Sequence, residues 1–450
     1  MKLVVSSMRV GEEDGFKNDI LDRKFFGEAL LNLVKQTSDE LVISIDGRWG
    51  EGKTTFIKMW QGLLKKNNIP SIYIDAFEND YTGDAFMSIA GAITTYVDSH
   101  AIDTAKKEEF KDKAKRVGVQ LLSWTARVGV KAATLGIIKD SDIEAVNVIK
   151  ESLANDGADE ISKLVKDRLS AQSIEKNLIQ SFKESLSEIP LALNESSENR
   201  IVIIIDELDR CKPSFAVEII EKIKHLFSVE NVIFVLGMNK IQLEEAIKCV
   251  YGNNIDAHSY LQKFINIETT LPKRNDLNNY SNDIRSYSRH LLELHEFNAF
   301  GDEEGLVKAL VPLGRHFNLS LRQLEKVFTN LAIIYSTSQE NSFRIFPVFV
   351  LLSILKVVDP KVFSAISNND FSFNQLSDKI GLSNLKEDDN REIFHVMNWM
   401  RFIMMTDEEF NQLDHNDPIL SYGNGLFRYH IERRDILAFF CSKMTLFKVN

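Results

Sequence analysis

Residues 41–54 read LVISIDGRWGEGKT, and this stretch decides the fold. The first five residues carry no charge and are apolar apart from Ser44, which predicts a buried β-strand. Residues 47–54 fit the pattern G-x-x-x-x-G-K-[ST], and a helix-patterned segment follows from about 54 to 65. Strand, glycine-rich turn and helix stand in the order that a phosphate-binding loop requires. The alternative, a chance glycine turn before a helix, needs all three to coincide.

The residue types in this loop predict how it binds a nucleotide. Glycines let the backbone direct its N–H groups at phosphate oxygens, and the helix N-terminus adds the positive end of its dipole. We expect Lys53 to contact the β- and γ-phosphates of ATP and the Thr54 hydroxyl to join the shell of Mg²⁺. The predicted nucleotide-binding residues are Gly47, Arg48, Trp49, Gly50, Glu51, Gly52, Lys53, Thr54 and Thr55.

Further short apolar runs predict the rest of a sheet. Residues 71–75 follow the helix after the loop and complete a β-α-β unit, for which a parallel sheet is the natural solution. Residues 201–205 and 232–236 are uncharged and rich in β-branched side chains, so they are interpreted as two more buried strands. A short strand candidate lies within 264–271.

These elements predict the α/β class, as a P-loop NTPase with an ASCE-type parallel sheet in a three-layer α/β/α arrangement. The P-loop domain is expected over residues 1–275, and a helical insertion over about 99–198 interrupts it. The chain from 84 to 198 is helix-like and contains no proline before Pro190. Residues 276–450 are again mostly helix-patterned and are expected to form an α-helical C-terminal domain.

The second half of the nucleotide site is predicted at the end of the strand that begins at residue 201, where the chain reads IVIIIDELDR. A buried strand delivers its terminal acids to the edge of the sheet. We expect Asp206 to hold Mg²⁺ and Glu207 to orient and deprotonate the attacking water. The alternative for Glu207 is a capping or salt-bridging acid. Asp209 is the first substitute as the general base.

Two residues further along the chain are candidates for completing the site. Asn239 follows the strand over 232–236, on the side where ligands bind such sheets, so it is a candidate for sensing the γ-phosphate or holding the water. Equally, it is a candidate N-cap for the helix that follows. Arg322 begins a helix in the C-terminal region and is a candidate second sensor or arginine finger; the alternative is a solvated charge on a helix face.

Composition indicates a globular protein of the cytoplasm. The net charge of −11 argues against general nucleic-acid affinity, since phosphate binding relies on Lys and Arg. Cys211, Cys249 and Cys441 show neither a disulfide framework nor zinc spacing, and the N-terminus lacks the apolar core of a signal peptide. Residues 345–355 are uncharged but short and contain Pro347, which favours a buried core helix over a membrane span.

The predicted insertion contains a basic segment, residues 101–139, which has nine Lys and Arg but only four Asp and Glu. The usual meaning is a solvated face; the alternative is weak contact with an anionic partner, lipid or nucleic acid. Within it, 117–138 is apolar enough to raise the question of a membrane span, but Arg127 and Lys131 interrupt it. Peripheral membrane association is therefore the only membrane contact that the sequence suggests.

Taken in order, the motifs resemble those of the KAP family of P-loop NTPases. Residues 47–55 look like the family's tryptophan-containing Walker A, and 206–211, DELDRC, are similar to its Walker B. Weaker similarities are the aromatic strand at 73–77 and the segment at 260–264, which is followed by Leu-Pro at 271–272. Arg322 falls where the family carries an arginine at the start of a helix. The resemblance covers residues 17 to about 335.

The sequence also departs from the family pattern. The family commonly has Asp where this chain has Glu207, and Asn239 stands where an acid is expected. Both departures bear on the rate of hydrolysis. Membrane-spanning helices, which the family often inserts between the two Walker motifs, are not expected here because charges interrupt the apolar run.

The resemblance implies a bacterial or mobile-element ATPase that acts as a nucleotide-driven switch or assembly ATPase, in anti-phage defence, as a homo-oligomer with a protein effector partner. A second hypothesis is a nucleotide-gated scaffold with negligible turnover. The adjacent acids Asp206 and Glu207 favour hydrolysis, because a scaffold has no need of the second acid. A small-molecule kinase ranks last, since we find no compact arginine-rich lid.

Overall fold

A computed structural model describes the backbone of residues 2–3, 15–37, 39–100, 104–127, 176–177, 179–190, 200–274, 283–297, 301–337, 344–429 and 432–446. Five strands form one sheet: β1 (Leu41–Asp46), β2 (Ser71–Asp75), β3 (Ile201–Asp206), β4 (Val232–Met238) and β5 (Ile267–Thr270). The helices that precede or interleave with the strands are α1 (Lys24–Gln36), α2 (Lys53–Lys66), α3 (Ala76–Asn79), α4 (Ala85–Ser99), α5 (Thr104–Arg127), α6 (Pro213–Lys222), α7 (Lys240–Tyr251) and α8 (Ala257–Leu261).

After the sheet, the described chain is helical. Its helices are α9 (Asp283–His295), α10 (Glu303–His316), α11 (Leu321–Ser336), α12 (Phe346–Val358), α13 (Pro360–Ser367), α14 (Phe373–Lys379), α15 (Arg391–Met404), α16 (Asp407–Asn411) and α17 (Asp435–Thr445). No helix in the described ranges is long and apolar enough to cross a membrane.

The sheet has the order β2-β3-β4-β1-β5, and every pairing is parallel. Strand β4 lies between β1, which leads into the glycine-rich loop, and β3, which ends in the acids. This insertion of one strand between the two is the ASCE arrangement, so the predicted fold class is confirmed. Because all strands are parallel, their carboxyl ends meet at one edge, and the loop and the acids share that edge.

The alternation of β3 side chains shows why the sheet is covered on both faces. Val202 and Ile204 pack with α1 and α2 in one apolar cluster, while Ile203 and Ile205 pack with α4, α6 and α7 in another. Successive side chains of a strand point to opposite faces, so an uninterrupted apolar run requires helices on each side. The sheet is therefore the middle of three layers, with helices on each of its faces.

The helices after β5 form a third apolar cluster, with α12 at its centre. Residues 347–355 of α12 are all buried, which confirms the prediction of a core helix there. A short turn, residues 317–320, joins α10 to α11 and carries the start of α11 against the glycine-rich loop. The expected division of the chain at residue 275 stays a prediction.

The described part of the insertion packs against the sheet domain. Helix α5 and the helical residues 179–190 contribute Phe110 and Phe182 to a cluster of rings with Phe86 of α4. Lys107 and Lys111 both pair with Asp98, at 2.7 and 2.9 Å.

The same helix shows how part of the basic segment is used. Lys113 pairs with Glu109 at 2.6 Å and Lys106 with Glu188 at 3.7 Å, so four of its lysines form ion pairs within the chain. The other end of the segment, including Lys131 and Lys139, lies outside the described residues. Contact of residues 101–139 with lipid or nucleic acid therefore stays a prediction.

Candidate nucleotide-binding site

The glycine-rich loop spans the gap between β1 and α2. Gly47 begins it by donating its N–H to the carbonyl of Met238 at the end of β4, at 3.2 Å. Gly50 and Gly52 have φ of 79° and 83°, the left-handed region in which only glycine is unstrained. A Cβ on Gly50 would lie 2.7 Å from the Cβ of Arg322, so this glycine also permits the close approach of α11.

Lys53, the first residue of α2, folds back into the loop. Its side chain is buried, and its ammonium donates to the carbonyls of Gly47 at 2.5 Å and Arg48 at 3.3 Å. Burial lowers the pKa of Lys53, and the nearby carboxylates of Asp209 and Asp206 oppose that shift. The ammonium is thus held inside the loop, where phosphate oxygens can replace the two carbonyls.

Asp206 is fully buried at the end of β3. Its carboxylate accepts hydrogen bonds from the N–H of Glu207 at 2.9 Å and from the hydroxyl of Tyr73 at 3.3 Å, and the Thr54 side chain also acts to lower its pKa. Burial raises the pKa of Asp206 despite these bonds. A Cβ on Gly237 of the neighbouring strand would overlap its Oδ1, so only glycine leaves room for the acid there.

Thr54 and Asp206, the two predicted magnesium ligands, line the same cleft, and the Thr54 side chain acts to lower the pKa of Asp206. Both offer oxygen, which is the donor that Mg²⁺ prefers. In the described ranges, no group of three or more His, Cys, Asp or Glu could hold a metal ion. A cation here would take few ligands from the protein and the remainder from phosphate and water, as Mg²⁺ does in nucleotide sites. The residues therefore fit the ion.

Glu207 has a φ of 60°, an unfavourable value for a residue with a side chain. Its Oε2 lies 2.5 Å from Nη1 of Arg210, so the ion pair considered as the alternative role of Glu207 is present. Burial raises the pKa of Glu207, and the charge of Arg210 opposes that shift. The strained backbone turns this side chain into the cleft beside Asp206.

Asp209 joins the acid end of β3 to the loop. Its Oδ2 accepts a hydrogen bond from the indole N–H of Trp49, and its Oδ1 is buried with no hydrogen-bond partner among the described residues. The Trp49 side chain itself is half exposed. The tryptophan of the loop and the Leu-Asp-Arg-Cys tail, the two features that distinguish this sequence most, are therefore physically linked.

Asn239 occupies the N-cap position of α7, yet its side chain makes no capping hydrogen bond. Instead Asp46, at the end of β1, accepts the N–H of Lys240 at 2.8 Å. Asn239 is buried at the carboxyl edge of the sheet. Asn239 thus occupies the N-cap position of α7, but the side chain that accepts the capping hydrogen bond is Asp46 of β1.

Arg322 is placed beside the loop of its own chain. Its N–H donates to the carbonyl of Gly50 at 3.2 Å, and its exposed side chain lies at the mouth of the cleft. Ser320 and Gln323 form a capping box that fixes this start of α11.

These residues enclose a cleft of about 430 Å³. Its lining is Trp49, Gly50, Gly52, Lys53, Thr54, Thr55, Asp206, Glu207, Asp209, Arg210 and Arg322. Among the described residues, Gly47, Arg48, Glu51 and Asn239 stand outside this lining, although all four were predicted to belong to the site.

Glu51 supports the loop from behind. Its buried carboxylate accepts from the N–H of Arg48 at 3.0 Å, from Nε of Arg48 at 2.9 Å and from Nζ of Lys273 at 2.5 Å. Arg23, before α1, donates to its carbonyl at 3.0 Å. Burial raises the pKa of Glu51, but Lys273 and Arg48 outweigh it, so the pKa falls below its usual range.

Lys273, Arg23, Tyr73 and Asn318 were not predicted as site residues. Tyr73 was noted only as part of an aromatic strand, and Lys273 follows the Leu-Pro pair after β5. An uncompensated acid inside a phosphate-binding loop, Glu51, was the one available signal that basic partners must lie elsewhere in the chain.

A glycine-rich loop before a helix, a buried acid two strands away and an inserted strand between them define a P-loop NTPase. The chain matches the KAP family P-loop domain over residues 23–338, and it belongs to that family. The match extends past β5 and includes α11 with Arg322.

Individual relatives are distant. The phage T7 exclusion protein of Escherichia coli (strain K12) is 23% identical over 172 residues, which is 37% of this chain and 22% of that protein. The chain therefore spans about a fifth of the length of this relative.

Among solved structures, the Aeropyrum pernix ORC2 protein in its ADPNP–ADP complexes is 12% identical with a TM-score of 0.33, covering 94% of each chain. Its ADP form is 11% identical with a TM-score of 0.35, covering 98% of this chain and 96% of that one.

Proposed function

We propose that the chain binds ATP with Mg²⁺ in this cleft and hydrolyses it, acting as a nucleotide-driven switch or assembly ATPase. One observation carries the proposal: Lys53, Thr54, Asp206 and Glu207 all line the same cleft. Phosphate, cation and water contacts are thereby concentrated on one cleft.

In this mechanism each side chain has one task. Lys53 exchanges its two loop carbonyls for the β- and γ-phosphate oxygens. Thr54 and Asp206 would hold Mg²⁺, which would supply positive charge to neutralise the phosphates. Glu207 accepts a proton from the attacking water at a carboxylate oxygen, which requires its ion pair with Arg210 to open. Arg322 then neutralises charge that develops on the γ-phosphate.

The test is equilibrium binding of labelled ATP together with phosphate release, each with Mg²⁺ and with EDTA. We expect binding and steady turnover, both weakened by EDTA. The second candidate, a nucleotide-gated scaffold, is favoured by the closed Glu207–Arg210 pair, and it predicts binding without phosphate release. Absence of binding under both conditions would exclude ATPase and scaffold alike.

We further propose that turnover serves anti-phage defence through a homo-oligomer and a protein effector, in the cytoplasm. The support is the relative named a phage T7 exclusion protein, over the part of it that the chain spans. Plaque counts on a bacterial host expressing the chain, against the same host expressing Lys53→Ala, test it. Equal counts for every phage tried would remove the defence role and leave the ATPase untouched.

A further inference from the structure

The glycine-rich loop is connected to the C-terminal helices by side chains that do not face the cleft. Arg48 projects away from the phosphate side: its Nε binds Glu51, while its Nη2 donates to the carbonyl of Asn318 at 3.1 Å and to the Oδ1 of Asn318 at 2.8 Å. Asn318 lies in the turn between α10 and α11. One arginine thus bridges the loop and that turn.

Glu51 makes this bridge follow the loop backbone. Its Oε2 accepts the N–H of Arg48 while its Oε1 accepts the Nε of the same residue. Backbone and side chain of Arg48 are therefore fixed to one buried carboxylate, which Lys273 also holds. Any displacement of the backbone at Arg48 moves its guanidinium as well.

The turn that contains Asn318 is fixed by its own hydrogen bonds and by buried side chains. Asn318 has a φ of 50°, and the N–H of Leu319 donates to the carbonyl of Gly314 at 2.9 Å, closing the end of α10. Ser320 and Gln323 cap α11 by a capping box. Leu319 and Leu324 are buried in the C-terminal core, so the turn moves with α10 and α11 as a unit.

We propose that Arg48 and Asn318 transmit the nucleotide state of the loop to the C-terminal helices, with Glu51 as the positioning residue. This inference rests on the proposed nucleotide binding. When phosphates bind the loop N–H groups, the loop backbone adjusts, Arg48 moves with it, and α10 and α11 follow through Asn318. A second contact joins the same two parts of the chain. The N–H of Arg322 in α11 donates to the carbonyl of Gly50, which follows Trp49 in the loop as Arg48 precedes it.

Asn318 permits a test that leaves the binding residues unchanged. Asn318→Gly removes the Oδ1 acceptor and keeps a left-handed backbone that glycine adopts freely. Asn318→Asp retains the acceptor and adds a charge opposite Arg48, which strengthens the contact. Asn369→Gly is the matched control, because Asn369 is also exposed, has a φ of 61°, and lies between α13 and α14.

The measurement is hydrogen exchange of residues 321–336 with and without a slowly hydrolysed ATP analogue, beside the ATP affinity and the Tm of each variant. We expect the nucleotide-induced protection of this helix to fall by about threefold to tenfold in Asn318→Gly, the value of one hydrogen bond to a charged group at a part-exposed site. It should rise in Asn318→Asp and stay unchanged in Asn369→Gly, with ATP affinity and Tm near those of the parent.

Two failures can be told apart. If the parent binds no ATP, the proposed function is wrong. If the parent binds ATP but its α11 gains no protection, or if Asn318→Gly and Asn318→Asp both respond as the parent does, transmission through the contact of Arg48 with the Asn318 side chain is overturned while nucleotide binding stands.

Discussion

The two halves of the site differ in how they are held. On the loop side, Gly47, Glu51 and Lys53 have hydrogen-bond partners that fix the loop in place before any nucleotide arrives. On the acid side, Glu207 is in a strained backbone conformation and its carboxylate is paired with Arg210. The loop is therefore held by hydrogen bonds, whereas the acid is held by a strained backbone and an ion pair.

This difference assigns separate tasks to the two halves. A loop that is already shaped loses little conformational freedom when it binds phosphate, which favours affinity. An acid that must exchange an ion pair before it can accept a proton makes hydrolysis depend on a further event. Binding and turnover should therefore respond to different substitutions, and the predictions below break or sharpen that separation.

The largest effect is expected on the loop side. Lys53→Ala should abolish nucleotide binding, because it deletes the charge on the β- and γ-phosphates. The fold should persist, since the lost ammonium is buried among carbonyls and contributes no apolar packing. Binding of labelled ATP measures it, with Lys66→Ala at the exposed end of α2 as the control. Unchanged affinity in Lys53→Ala would remove the P-loop assignment.

On the acid side, Glu207→Gln should keep MgATP bound and slow hydrolysis by about 10² to 10⁴, the usual effect of losing a general base. Single-turnover phosphate release measures the chemical step, and exposed Glu230→Gln is the matched control. Turnover at the parental rate would give the proton-accepting role to another residue. Asp209, whose Oδ1 has no partner among the described residues, is the first candidate.

Arg322 connects the two halves, because its backbone binds the loop while its side chain lines the cleft. Arg322→Ala should slow hydrolysis by about 10² to 10³, the range for removing one preorganised charge from a transition state, with smaller loss of binding. Lys326→Ala on the same helix is the control.

A concentration series with sedimentation then shows where the arginine acts. An arginine that serves its own chain gives a rate per chain that is independent of concentration. A rate that rises with oligomer formation, with full activity in Arg322→Ala, would mean that a neighbouring subunit supplies the arginine instead.

The sequence predicted those parts of the site whose chemistry is contained in one stretch of chain. Residues 47–54 and the acids after 201–205 are recognisable because strand, turn and residue type are all local. Their meeting at one edge follows from parallel pairing, which the β-α-β pattern already required. The place of β4 between β1 and β3 was expected only through the ASCE class, and the place of β5 beside β1 was not predicted.

The remainder depends on contacts between distant residues, which a single sequence does not encode in any local pattern. Lys273 reaches Glu51 across 222 positions, and Asn318 reaches Arg48 across 270. The N-cap of α7 shows the same limit. The position of Asn239 was recognised, but the capping oxygen comes from Asp46, which is 194 residues from Lys240.

The smallest effect is expected on stability, and it concerns Asp206. Burial raises the pKa of this carboxyl in the fold above its unfolded value, so the folded chain holds the proton more tightly. The free energy of unfolding therefore falls as pH rises from the unfolded pKa, about 3.9, through the higher folded pKa, and the deficit is complete above it. Above its folded pKa the ionised acid destabilises the chain.

Asp206→Asn should reduce that deficit while weakening magnesium-dependent binding of ATP, because the amide carries no charge. Its single oxygen can still accept the N–H of Glu207, whereas the bond from Tyr73, which goes to the other carboxylate oxygen, is lost. Each kcal/mol regained should raise the Tm by about 2 to 4 °C. Calorimetry of the nucleotide-free chain measures it, with exposed Asp378→Asn as the control. The advantage of Asp206→Asn should shrink as pH falls toward 4, since the parental acid is then protonated too. A lower Tm at pH 7 would mean that the two hydrogen bonds to the carboxylate outweigh its burial, and the acid side would then be held as firmly as the loop.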